Sequence, residues 1–340
     1  MLKKKLAFID YWHHELTRSG DFLREILSKE FEITNFWWKP KTKFPIDELQ
    51  QFEHIFFFHV MFPFQVMKRL NQKKILWAPM YDGLIFKNSF EKKIFWRQIS
   101  LLGIKILEFS KKVSESINKE NIEILKVQYF IKTEKNNEYK KTNKIKIFFW
   151  DRGQIEFKDW IKLFNLNDID EIIYYPVVDP SRKIKNSLHE YKNVKIKVLK
   201  KEFLPKSKYL ELMKSCHVFI APRKKEGIGM SIVEALSKGM YIVGYNDSTM
   251  NEYVTNEKIG YLFDDNTNKI DIRNILNEYE FRLSNSALNY SKWLLQKDKI
   301  TPFFNQENQF NKKRKMDYFL FYDDFKFYLK KILNKNRFIY

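Results

Sequence analysis

The sequence predicts an α/β protein made of two doubly wound parallel-sheet domains. Three observations predict it. Short apolar runs, each long enough for one strand, alternate with stretches of helical spacing along most of the chain. The alternation breaks at a polar stretch, TEKNNEYKKTNK at residues 133–144, and then restarts. The chain has 340 residues and 44% hydrophobic content, enough for two cores of ordinary size. Continuous apolar strands alternating with helices are the mark of parallel sheets covered on both faces.

In chain order, residues 6–10 read as a first strand, 11–20 as a polar loop, and 21–29 as a helix with Phe22, Ile26 and Leu27 on one side. Residues 33–38 form a second strand ended by Pro40, and 55–60 a run suited to a strand buried on both faces. A short helix at 64–70, a strand at 74–78, a helix at 89–102, a strand at 106–109 and a helix at 113–117 complete the first half. The second half opens with a strand at 145–150 and a loop at 151–157. A helix at 159–164, strands at 172–177 and 194–198, and a helix at 208–215 follow. Residues 316–333 carry an aromatic and basic helical pattern. The expected domains are 1–135 and 145–310, joined by a linker at 136–144 and followed by a helical tail at 311–340 that packs back toward the first domain.

One stretch, residues 217–264, holds the clearest chemistry. The apolar run His217 to Ala221 reads as a buried strand, and Arg223 to Gly229 as a basic loop with two glycines. A helix at 231–238 follows, with Gly239 as its stop, and then a strand at 240–243. This order places a helix N-terminus at the carboxyl end of a parallel sheet. Free amides and the positive dipole end favour bound phosphate there. Glu226 and Glu234 flank the glycines. A carboxylate repels phosphate, so hydroxyl groups, as on a sugar, are its better partners. An alternative reading makes Glu234 an ordinary first-turn glutamate, worth a few tenths of a kcal/mol.

Composition narrows the classes. The 62 Lys and Arg against 42 Asp and Glu leave a net charge of +20. That charge suits nucleic acid, a membrane surface or phosphorylated ligands. An AT-rich coding sequence, crowded with Lys, Asn, Ile and Phe, produces the same excess with no selection for charge. The single Cys216 rules out an intramolecular disulfide framework and fits a reducing compartment. No apolar run reaches the ~18 residues of a spanning helix, and the N-terminus reads as a strand rather than a signal peptide. His13, His14, His54, His59, His189 and His217 form no recognisable ligand motif with carboxylates.

The run EGIGMSIVEALSKG, followed by IV, NEYV and GYLFDD, resembles the donor-binding half of the GT-B glycosyltransferases. It is most similar to the retaining enzymes of glycosyltransferase family 4 (glycosyl transferases group 1). Glu226, Gly227, Ile228, Gly229, Glu234, Ala235, Gly239 and Glu252 keep the order and spacing of that family's signature. The resemblance implies two Rossmann-like domains facing a cleft that holds a nucleotide-diphosphate sugar. By resemblance, Glu234 would bond the ribose hydroxyls and Glu226 those of the transferred sugar. The backbone amides of Gly229, Met230 and Ser231 would face the diphosphate. In WDRGQIEFKDW, Arg152 and Lys158 would neutralise the leaving group without a metal. Their spacing is one residue longer than the family's, and Asp151 stands where the family has glycine. Arg223, in place of a usual serine, is a further phosphate candidate.

The resemblance implies less for the first half. Gly20 matches the glycine loop that approaches the diphosphate in this fold. Asp82, in Met80-Tyr81-Asp82, falls where the family has a His-Asp-like pair, and is a candidate to orient or deprotonate an acceptor hydroxyl. A turn-forming Asp-Gly explains it equally well. No cofactor is expected beyond the nucleotide sugar as co-substrate. Residues 61–140 hold 16 Lys and Arg against 8 Asp and Glu. On the predicted helix from Ser89, Lys92, Lys93, Trp96 and Arg97 share a face that suits anionic headgroups. The expected partners are a nucleotide-sugar donor, a glycan or lipid-linked acceptor and an anionic membrane surface. The expected site of action is cytoplasmic, or peripheral on the inner face of the plasma membrane. An epimerase or sugar phosphorylase of the same fold, and a basic nucleic-acid-binding protein, are the alternatives. No helix-turn-helix, zinc-finger or aromatic RNA-binding signature supports the last, and a polyanion groove would not favour Glu226 and Glu234.

Overall fold

In the computed structural model each half of the chain forms a six-stranded, fully parallel sheet. Residues 3–70, 73–117, 120–135, 143–178, 183–184, 188, 190–247, 249–264 and 269–307 are described. The predicted tail helix at 316–333, most of the linker and His189 lie outside them. The chain divides into two units: Met1–Gln128 with the segment from Leu295 onward, and Tyr129–Leu294.

The first unit contains β1 (Lys4–Tyr11), β2 (Phe31–Trp38), β3 (His54–Phe58), β4 (Lys74–Ala78), β5 (Lys105–Glu108) and β6 (Ile124–Lys126), in the order β2-β1-β3-β4-β5-β6. The strands read as continuous apolar runs because helices cover both faces. All of β3 and all of β5 are buried. The short strand β6 and the helix Ile46–Leu49 were not predicted, being too brief to show a period. Residues 295–307 belong to this unit, whereas the sequence placed them in the second domain. Phe304, on the helix Ile300–Asn305, packs on Phe31, His54 and Phe56. The buried Lys105 ammonium donates to the carbonyls of Phe303 and Gln306 at 2.9 and 2.7 Å. Those contacts hold the segment on the first sheet.

The helix Ser89–Leu101 corrects one expectation. Trp96 is fully buried against Trp77, Phe86 and Phe95. At 100° per residue it turns toward the core with Ile99, so it does not share an outward face with Lys93.

The second unit contains β7 (Ile145–Trp150), β8 (Ile169–Tyr175), β9 (Ile196–Val198), β10 (Val218–Ile220), β11 (Tyr241–Tyr245) and β12 (Gly260–Phe263), in the order β12-β11-β10-β7-β8-β9. The strand predicted at 172–177 starts three residues earlier, and the helix predicted at 159–164 is Phe157–Ile161. A reciprocal cap explains the second shift. Glu156 accepts from the backbone of Asp159, and Asp159 accepts from the Glu156 amide, so the helix starts just after Glu156. The 19-residue helix Tyr279–Lys297 has no counterpart in the sequence reading.

Gly239 ends the helix Met230–Ser237 in the left-handed region at φ +71°. A Cβ there would lie 2.6 Å from Cε2 of Tyr279. Gly239→Ala combines left-handed strain with this overlap and is expected to cost about 2–4 kcal/mol in denaturant unfolding.

Candidate active site

The site is built at the carboxyl edge of the second sheet. Strand order reverses between β7 and β10, since the chain runs outward through β8 and β9 before returning beside β7. In open α/β sheets such a reversal leaves a crevice beyond the strand ends. Arg152 follows the end of β7, and Arg223 follows the end of β10. Two cations therefore flank the reversal.

Each is held by its neighbours. The Arg152 guanidinium lies 4.5 Å from the centre of the Trp150 ring. Trp150 is itself fixed by an indole N–H donated to the Val177 carbonyl at 2.9 Å. Asp151, the departure from the family's glycine, is fully buried. Its carboxylate accepts from the Tyr174 hydroxyl at 2.6 Å and the Gly153 amide at 2.7 Å. Asp151 thus braces the turn that carries Arg152. Arg223 pairs with Glu226 at 3.6 Å.

The loop from Glu226 to Gly229 is fixed from behind. Thr249 is fully buried, and its hydroxyl reaches the Glu226 carbonyl at 2.6 Å and the Gly227 carbonyl at 3.1 Å. The sequence reading did not single out Thr249, because a hydroxyl holding a loop from a distant segment leaves no local pattern. Gly229 caps the helix at φ +70°, a backbone state costly for residues with a Cβ. Its carbonyl accepts from the amides of Ile232 and Val233, so Met230 and Ser231 lie in the first turn.

Glu234 corrects a detail. The helix begins at Met230, so Glu234 is its fifth residue and not part of its first turn. A dipole role at the helix start does not account for it. Its side chain is buried, and Lys206 approaches Oε1 at 3.0 Å. Burial raises its pKa, and Lys206 opposes that shift.

Lys158 stands apart from this group. Its side chain is exposed and its ammonium pairs with Glu156 at 2.9 Å, which raises its pKa. Gly20 and Asp82 lie in the first unit. Gly20 caps the helix Asp21–Leu27, and a Cβ there would meet Nη1 of Arg24 at 2.7 Å and Oδ2 of Asp10 at 3.1 Å. Asp82 is half-buried in the turn Tyr81–Gly83 after β4.

The first unit has its own cluster at the point where its strand order reverses, between β1 and β3. Asp10, at the end of β1, is fully buried. It takes Nδ1 of His14 at 2.5 Å, Nη2 of Arg24 at 2.8 Å and the Tyr11 amide at 2.7 Å. His59, just past β3, has a left-handed backbone at φ 66° and its ring is stacked 6.0 Å from His14. The sequence alone did not join these residues, which come from separate segments. Other polar groups are structural. His217 Nδ1 accepts from the Lys146 amide at 2.9 Å. Burial pushes the Cys216 thiol up to about 12.

Comparisons with known proteins agree with this architecture. HepE from Anabaena, solved in complex with UDP and glucose, has a TM-score of 0.57 at 11% identity, covering 88% of this chain and 99% of that one. Sucrose-phosphate synthase from Thermosynechococcus elongatus has a TM-score of 0.54 at 11% identity, covering 98% of this chain and 100% of that one. A search of curated proteins finds no match. Two parallel doubly wound sheets with these neighbours define the GT-B fold. Residues 130–282 match the family described as glycosyl transferases group 1. That segment is a glycosyl transferases group 1 domain, and with the GT-B architecture it makes the chain a glycosyltransferase.

Proposed function

We propose that the protein moves a sugar from a nucleotide-diphosphate sugar to a hydroxyl of a glycan or lipid-linked glycan, with retention and without a metal. The product would enter a bacterial-type surface polysaccharide or glycoconjugate. One observation carries the donor assignment: Arg152, Arg223, Glu226, Glu234 and the first turn at Met230 all belong to the carboxyl edge of one sheet. The UDP held by the HepE structures supports a uridine nucleotide as the first donor to try.

The chemistry follows from those roles. The bond from the anomeric carbon to the diphosphate breaks, and the acceptor oxygen bonds that carbon on the same face. The acceptor proton passes to the leaving phosphate oxygen. Arg152, Arg223 and the helix amides offset the charge that develops on the diphosphate. Glu226 and Glu234 hold the sugar and ribose hydroxyls, so positioning supplies much of the rest. Asp82 is the candidate to orient the acceptor hydroxyl. Thermal-shift screening against nucleotide sugars tests this reading. Stabilisation by one nucleotide class is expected, and no stabilisation by any would overturn it.

Glu234 also sets a pH dependence. Burial raises its carboxyl above the ordinary glutamate value, so the folded state holds a proton that the unfolded state has lost. In that window stability falls as pH rises, because the charged form is disfavoured in the fold. Donor binding has the opposite slope. The carboxylate accepts from ribose hydroxyls, so affinity falls as pH drops through the raised value. Glu234→Gln should therefore raise the melting temperature at neutral pH. It should also weaken donor binding about 10–100-fold and flatten the pH profile of the dissociation constant.

The membrane expectation loses Trp96 but keeps a basis in the same region. Ile85 and Phe90 are exposed, 67% and 59%, next to Lys87 and Lys93. Among the described residues no helix is long and apolar enough to cross a membrane. Flotation with anionic vesicles tests a peripheral contact through this patch.

A further inference from the structure

The helix Lys206–Lys214 adds two side chains that the family signature does not include. It is nine residues long, and Lys206 and Tyr209 lie one turn apart on it. Lys206 reaches the carboxylate of Glu234 at 3.0 Å. The Tyr209 ring packs on Phe148, Trp150 and Tyr175, with centroids at 5.7, 5.4 and 6.4 Å. Trp150 is also the ring that carries Arg152 at 4.5 Å. Tyr209 therefore shares an indole with the phosphate candidate and a helix face with the partner of the ribose candidate.

The Tyr209 hydroxyl is the unusual feature. The residue is only 7% exposed, and its oxygen has no hydrogen-bond partner among the described residues. A buried phenol normally finds one, and leaving it without costs free energy. Burial, with Glu234 close by, pushes its pKa well above the usual value, so it stays protonated and can only serve oxygen acceptors as a donor. The charges of Arg152 and Glu226 reach it too. This fits a group waiting for an acceptor oxygen that arrives with a ligand.

We propose that Lys206 and Tyr209 are donor-binding residues: Tyr209 donates its hydroxyl to an oxygen of the ribose–diphosphate segment, and Lys206 leaves Glu234 for the diphosphate when the nucleotide binds. The inference rests on the nucleotide-sugar reading above. In this structure Lys206 compensates the buried Glu234 carboxylate. On binding, ribose hydroxyls take over that carboxylate and free the ammonium for phosphate. The net positive charge facing the diphosphate rises by one as the nucleotide enters.

Calorimetric titration of the full chain with UDP, GDP and ADP, alongside ligand-free melting curves, tests this. Tyr209→Phe should melt at the same or a higher temperature than wild type, since it removes a buried unpartnered hydroxyl. It should nonetheless bind the preferred nucleotide about 10-fold more weakly. Lys206→Met should bind about 5–10-fold more weakly, with a shallower dependence on salt. Lys208→Met, which removes an exposed lysine from the same helix, should match wild type. A packing role for Tyr209 would lower the melting temperature and leave affinity alone. Tyr209→Phe within twofold of wild-type affinity would overturn the proposal while the donor site stands. A wild type that binds none of the three nucleotides would remove the donor site and this inference together.

Discussion

Arg152→Ala is expected to lower turnover by about 10²–10³, the scale seen when one preorganised stabiliser of developing charge is removed. The residue follows the end of β7, where the strand order reverses, and its guanidinium is pre-placed on the Trp150 ring. Asp151 holds the turn through Tyr174 and Gly153, so the fold does not depend on the arginine itself. The loss should appear in turnover more than in the donor KM, because charge on the diphosphate grows as the glycosidic bond breaks. Arg152→Lys should recover only part of it, since an ammonium has neither the planar fork nor the stacking surface. Lys158→Ala is the informative contrast. That lysine is exposed and paired with Glu156, so its removal should change turnover by less than about threefold. Release of nucleoside diphosphate in steady state measures both. An Arg152→Ala enzyme within threefold of wild type would remove Arg152 from the reaction.

What could be read in the sequence divides along physical lines. Parallel strands buried on both faces are apolar at consecutive positions, so β3, β4 and β7 stood out as runs. The glycine loop and helix were visible because left-handed backbone at Gly229 and Gly239 demands glycine at fixed positions. Glu226 and Glu234 stood out through the family signature that their stretch resembles. Side-chain geometry was harder. Nothing local distinguishes the exposed Lys158 from the stacked Arg152, or turns Trp96 inward. Thr249, Tyr209 and the Asp10–Arg24 pair act across distances in sequence that no period records. Nothing in the sequence sets residues 295–307 apart from the second domain, and their place in the first unit rests on Phe304 and on carbonyls that receive Lys105.

Arg282→Met should be the most destabilising single change in the second unit, at about 3–5 kcal/mol, the loss of two buried charge-assisted hydrogen bonds at ~1.5–3 kcal/mol each. Arg282 is 1% exposed and sits on the helix Tyr279–Lys297. Its Nε donates to the Gly239 carbonyl at 2.7 Å and its Nη2 to the Ile275 carbonyl at 2.6 Å. Nη1 lies 3.4 Å from the carbonyls of Lys258 and Asn274. Methionine matches much of the aliphatic volume but takes this donor from the buried carbonyls of Gly239 and Ile275, and each buried orphan costs ~1–3 kcal/mol. Lysine restores a charge but not the fork, so Arg282→Lys should recover only part of the loss. The consequence for function runs along one helix. Gly239 terminates the helix Met230–Ser237, whose other end carries Gly229 and the first-turn amides of the donor site. Loosening the Gly239 carbonyl therefore frees the helix that aims those amides. The Met variant should melt several degrees lower. At temperatures where it remains folded, its donor affinity should still fall, whereas Gly229 and Glu234 are untouched in sequence. A variant with full donor affinity and an unchanged melting temperature would show that the four carbonyls do not need the guanidinium.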